Sequence, residues 1–334
     1  MSRRLRLSLI GLAGLAVLHT AAWAWAAGRL ATVADGWLAA ERARGITIAA
    51  DPPSRGGWPF GVTLTWPDMA ITDPAVPLAW TGSRISLAGS LLHPRRATLR
   101  LDGPQSLRLG SLPPLAITAE SLDLGVRIGL DGRAHGAGLA AHGLRIAGAD
   151  TALGIASLSL SGDPDQHFAL HADDITLPGS PPAGLGLPAW PLGPAIARLG
   201  LDFSLTGGLP TAPRPTAAWM RAWRQAGGAL AIDHLILDWG PLDLSAQGHL
   251  AADPTGQPIA SLHSAISGWS ETADALAAAG LLPAQALRPA KLALSVMAHR
   301  DAPGGPSTVE LPLSLDDGVL SMRRMPLARL PPLP

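Results

Sequence analysis

A chain of 334 residues with no formal net charge offers neither the basic excess of a nucleic-acid binder nor the acidic block of a solvating tail. Only 15% of its residues are charged and 47% are hydrophobic, which excludes disorder and is ample for a buried core. The absence of cysteine excludes disulfides, thiolate nucleophiles and cysteine-based zinc sites, and suits an oxidising compartment.

The first element is an apolar helix. Arg3, Arg4 and Arg6 open the chain, and no charged residue follows from Leu7 to Ala27. That run is about 30 Å long as a helix, the thickness of a hydrocarbon core. Trp23 and Trp25 stand at its far end, where aromatic rings favour the interface, and the arginines before it place the N-terminus inside. Two fates follow: a retained signal-anchor, or a signal peptide cleaved at a small-x-small site such as Ala22-Trp23-Ala24. Both export the rest, so the expected address is an inner membrane crossed once, with the domain in the periplasm. Leu30, Val33, Trp37 and Leu38 keep a helical spacing, and Gly45 is a natural stop.

Beyond Gly45 the period changes to two. Leu122, Leu124, Val126, Ile128 and Leu130 alternate with small or charged residues, as do Leu199, Leu201, Phe203 and Leu205. Leu292, Leu294 and Val296 show the same spacing, and so do Val309, Leu311, Leu313 and Leu315. Such alternation marks antiparallel strands with one dry face and one wet face. Asp102-Gly103, Asp131-Gly132, Asp163-Pro164, Asp253-Pro254 and Asp317-Gly318 are turn signals. Two short helices are expected, Ala217 to Ala226 capped by Thr216 and Glu271 to Ala279 capped by Ser270.

The fold class is therefore mainly β: a transmembrane helix, then a large curled antiparallel sheet, trough or sandwich, with two short helices. Two helices cannot cover the apolar faces of so many strands, so the sheet must curl or pack on itself. The chain divides into the signal-anchor and its extension (1–45), an N-terminal β half (46–177), a Pro/Gly-rich connector (178–194) and a C-terminal β half (195–334). Leu122, Leu124, Val126, Ile128, Leu201 and Phe203 are the candidate apolar lining. Trp58, Pro59 and Phe60 are expected to form a structural plug where the chain enters the sheet, with Trp58→Ala costing about 3 kcal/mol or more.

Catalytic chemistry is hard to find. Gly136-Ala137-Gly138 lacks the βαβ context of a dinucleotide site. His167 and His171 share a strand face but lie about 13 Å apart along it, too far to grip one ion. No catalytic, cofactor or metal-ligating residue is assigned, no cofactor is expected, and a periplasmic hydrolase is the least supported class.

Gly57-Trp58-Pro59-Phe60 resembles a bacterial family known as domain of unknown function 2125. So do Gly162-Asp163-Pro164, Trp223-Arg224-Gln225-Ala226-Gly227-Gly228 and Asp238-Trp239-Gly240-Pro241-Leu242, in that order. Asp317-Gly318 and the Pro-rich end continue the resemblance, with Met322-Arg323-Arg324 as a small departure. The family carries no assigned activity, so the resemblance implies no catalytic residue. The overall plan is similar to AsmA-type envelope proteins, which implies lipid handling or envelope maintenance at an inner membrane. The expected partners are that membrane, lipid or acyl chains and other envelope proteins, with no nucleic acid. The alternative is a structural or adaptor protein with a closed β core.

Overall fold

The computed structural model describes residues 3–75, 77–90, 93, 95–110, 112–128, 134–148, 152–181, 189–207, 222–223, 225–252, 258–300, 306–316, 319–322 and 325–329. The chain forms two compact units, Met1–Asp150 and Thr151–Pro334. Each is built on antiparallel strands, as the period-two pattern requires.

The first unit opens with one continuous helix, α1 (Arg3–Ala43), of 41 residues, about 60 Å long. It ends where Gly45 and Ile46 donate their N–H groups to the Arg42 and Glu41 carbonyls, which satisfies carbonyls left over by the last turn. The strands are β1 (Thr47–Ala50), β2 (Ser54–Gly56), β3 (Gly61–Asp73), β4 (Leu78–Ser90), β5 (Arg96–Leu101), β6 (Gln105–Leu109), β7 (Leu115–Thr118), β8 (Ser121–Ile128) and β9 (Ala134–Ala147). β1 and β2 pair with one edge of β3, and β4 with the other. β5 and β6 share β4 between them, and β7 and β8 share β9. Asp102-Gly103 thus marks a break between two strands that both lie along β4, where a hairpin turn was expected. There Asp102 N–H donates to the Arg84 carbonyl across the gap.

The core of this unit lies under the second half of α1. Ala27, Ala34 and Leu38 form a buried stripe on the helix. Ala34 and Leu38 meet Ile48, Leu64, Trp66, Met69 and Ile85 of the sheet. Alanines on the stripe let the helix backbone approach closely, and Leu64 and Ile85 are almost wholly excluded from solvent. Nearer the N-terminus the described side chains lose this cover, apart from His19 and Trp23, which are half-buried. Ile10, Leu12, Leu15, Val17 and Leu18 are all exposed.

The second unit is a meander of β10 (Ala152–Gly162), β11 (His167–Thr176), β12 (Ala195–Thr206), β13 (Ala229–Trp239), β14 (Leu242–Ala252) and β15 (Pro258–Ser267), followed by β16 (Thr308–Asp316), β17 (Val319–Met322) and β18 (Met325–Arg329). Each strand pairs antiparallel with the next. Between β15 and β16 stand helices α2 (Trp269–Ala278) and α3 (Ala284–Met297). The Pro/Gly-rich stretch lies inside this unit, between β11 and β12. Its ends are tied by the Leu177 N–H to Pro194 carbonyl bond, and the units divide earlier, at Asp150.

Two sequence expectations change here. Leu292, Leu294 and Val296 lie in α3 and form no strand. Their alternation is too short to fix a period, and the surrounding Ala, Leu, Gln and Lys are strong helix formers. α2 is capped by Gly268, in the left-handed region at φ 64°, and not by Ser270, which lies inside the helix. The expected helix over 217–226 falls largely outside the described residues.

Gly268 also carries a prediction. A left-handed backbone costs an L-residue about 1–2 kcal/mol, and a Cβ here would collide with the Pro241 carbonyl oxygen. Gly268→Ala should therefore destabilise the second unit by at least about 2 kcal/mol, read by chemical denaturation. Gly280→Ala isolates the backbone term, because its left-handed glycine has open space around it.

Candidate functional site

The ladder register places directly opposed residues on one face. In the second unit this aligns apolar side chains from strand to strand. Leu160, Leu170, Leu201 and Leu235 oppose one another in sequence across β10 to β13. The next rung is Phe168, Phe203 and Ile232, continuing to Leu262 and Leu313 through Gly248. Another is Leu205, Leu230, Leu250, Ala260 and Leu315, and a fourth runs from Leu158 through Leu199, Leu237 and Leu244 to Val309. Phe168 and Phe203 stack with ring centroids 5.2 Å apart.

The four rungs make an apolar face across β10 to β16, interrupted by Gly248 and by Ser264, whose hydroxyl donates to the Leu311 carbonyl. The reverse face carries Ser159, His171, Asp202, His234, Ser245, His263 and Glu310. On it His171 Nε2 lies 3.1 Å from Asp202 Oδ1. His167 takes no part in that pair, and Asp173 instead accepts from the Ser157 hydroxyl.

The apolar face is neither sealed nor bare. Val309, Ala172, Leu315 and Ala260 are buried, Leu160 is 42% exposed, and Leu170, Leu199, Leu201, Phe203, Leu235 and Leu237 are half-buried. α2 packs beside β14 and α3 beside β16, while at β12 the helical residue Trp223 reaches the strand end at Thr206.

In the first unit Leu122, Leu124 and Val126 share the face that α1 covers further along the sheet. Leu64, Leu87, Leu99, Leu124 and Leu139 form one rung across β3, β4, β5, β8 and β9. Leu122 is buried, while Leu124 and Val126 are half-buried. The side chain of Ile128 lies outside the described residues. The six candidate lining residues are therefore split between units: those of β8 share one face, and Leu201 and Phe203 share another.

Trp58, Pro59 and Phe60 occupy the connection between β2 and β3, with Trp58-Pro59 as a cis peptide. The expected burial is not found. Trp58 is 57% exposed and Phe60 74%, because the loop is held by its backbone. His19 Nε2 donates to the Pro59 carbonyl, and the Trp23 indole N–H to the Gly61 carbonyl, both at 2.7 Å. Trp58→Ala should consequently cost less than about 1 kcal/mol of stability, read by thermal melting.

Other tryptophans follow the same rule. Trp190, Trp223 and Trp239 donate to the carbonyls of Pro178, Thr206 and Gly193, and Trp190 meets Trp239 edge to face. The motifs around Trp223 and Trp239 thus fasten strand ends: an indole satisfies a carbonyl while its ring covers the turn.

Polar chemistry is sparse. Among the described residues no group of three or more His, Asp or Glu side chains is placed to hold a metal ion. Arg100 is held charged above its usual range by its hydrogen bond to Asp123 and by that carboxylate's charge. The pair lies across β5 and β8 on the surface, where screening leaves it little influence on stability. A cleft of about 630 Å³ on the polar face of the second unit gathers His234, Gln247, His263 and Glu310.

No curated protein and no solved structure matches the chain. One family profile matches residues 23–331, from Trp23 in α1 to just beyond β18. By that match over nearly its whole length, the chain belongs to the bacterial family described as "Uncharacterized protein conserved in bacteria (DUF2125)".

Proposed function

We propose that the protein is an inner-membrane-anchored periplasmic module that handles acyl chains of lipids without catalysis. The observation that carries this reading is the apolar face of β10 to β13, whose Leu170, Leu199, Leu201, Phe203, Leu235 and Leu237 are only half-buried. Such a surface offers dispersion and desolvation along its length and few fixed polar contacts. Selectivity would then follow chain length more than headgroup.

The anchor reading draws support from α1. Among the described residues α1 is long and apolar enough to cross a membrane. Cleavage near Ala24 would remove His19 and Trp23, whose bonds fasten the Trp58–Phe60 loop. An apolar helix followed by antiparallel sheet also supports a likeness in plan to AsmA-type envelope proteins.

The test is displacement of a fluorescent fatty acid from the purified full chain by acyl chains of increasing length, with lipid extraction and mass spectrometry alongside. Displacement that strengthens with chain length supports the reading. A chain that binds no probe and carries no more lipid than a detergent-washed control peptide of α1 returns the protein to the structural-adaptor class.

A further inference from the structure

We infer that one end of the first unit is a membrane-seating edge. Trp58 and Phe60 enter the outer leaflet of the membrane that α1 crosses, and Arg95 and Arg96 sit at its phosphates. This rests on the anchor reading above and goes beyond it, because a tethered domain need not touch the bilayer.

The geometry fixes the depth of the loop. His19 and Trp23 hold the backbone of Pro59 and Gly61 directly. Both belong to the uncharged run that ends at Ala27, and they precede that residue by about 12 and 6 Å of helix. A helix that spans the hydrocarbon with this run therefore carries the loop down to the interface or below it. At that level Trp58 and Phe60 are turned outward, 57% and 74% exposed. Exposed aromatic rings beside a fixed proline are costly in water and favourable at a bilayer interface.

The second observation is the β4–β5 connection. Ser90 at the end of β4 opposes Gly61 at the start of β3, so this connection emerges at the same end as the aromatic loop. Of this connection His93 and Arg95 are described; they and Arg96, the first residue of β5, are exposed. A cleft of about 470 Å³ between the two connections is lined by Phe60, His93 and Arg96, among others. Guanidinium groups beside exposed aromatic rings suit a leaflet surface, where phosphates accept from arginine and rings favour the interface.

The absence of cysteine makes the test direct. The full chain is reconstituted in vesicles of phosphatidylcholine with phosphatidylglycerol, carrying one polarity-sensitive fluorophore at Phe60→Cys, Trp58→Cys or Leu15→Cys. Quenching by brominated acyl chains is compared with quenching by aqueous iodide. The expected result is lipid quenching at all three positions. A Leu15 label in lipid with both loop labels in water overturns this inference and leaves the anchor standing. A Leu15 label in water overturns the anchor, and the inference with it. Arg95→Gln combined with Arg96→Gln should reduce lipid quenching of the Phe60 label at least twofold without moving the Leu15 label. An unchanged Phe60 label removes the arginines from the contact.

Discussion

On the proposed acyl-chain reading, Leu201→Asp is expected to weaken binding of a fatty-acid probe by the full protein at least 100-fold, about 2.8 kcal/mol. Leu201 stands mid-strand in β12, opposed by Leu170 on one side and Leu235 on the other. A carboxylate there must either stay hydrated, which breaks the apolar contact, or lose its water beneath the ligand, which is more costly still. Ser204→Asp adds the same charge to the reverse face of the same strand and should leave binding unchanged. The half-buried state of Leu201 keeps the experiment readable, since part of the residue already faces solvent. Circular dichroism melts of both variants separate loss of binding from loss of fold. Equal binding by the two variants would remove this face from the function.

Leu64→Ala should destabilise the first unit by about 3 kcal/mol and lower its melting temperature by roughly 10 °C. Leu64 has no exposed surface and lies in the cluster where Ala34 and Leu38 of α1 meet the sheet. Its removal leaves a cavity that neither the rigid ladder of β3 and β4 nor the helix can collapse into without breaking other contacts. The contrast with Trp58→Ala is the informative part. Trp58 is the larger side chain and would weigh more by size alone, yet its exposure reverses the order. Denaturant titration of both variants reads that reversal directly.

The two predictions separate the units by what their apolar faces do. In the first, α1 covers the rung that begins at Leu64, and the face is closed over part of its length by the chain's own helix. In the second, the corresponding apolar surface is left half-open. A buried cluster stabilises, and an open face of the same composition is available to a ligand; the difference lies in cover and not in residue type.

Much of the fold was legible in residue order. The uncharged run after Arg6 forces a helix, and the alternation around Leu122, Leu201 and Leu311 forces strands with one apolar side, because side chains alternate across a pleat. Other features depend on contacts distant in sequence. Ile232 and Leu235 are three apart and would point to opposite faces of a regular strand, yet a bulge between them brings both into the apolar rungs. Leu292 and Val296 obey a strand period but take helical form, since five residues cannot outweigh the propensity of their neighbours. Aromatic content marked Trp58 and Phe60 for burial, whereas His19 and Trp23, some 40 residues away, hold that loop by its carbonyls and turn its rings outward. Sequence by itself determined the periods, and hence the elements and the sidedness of each strand. Tertiary structure alone decided which apolar side is covered, because cover depends on where a distant helix comes to rest.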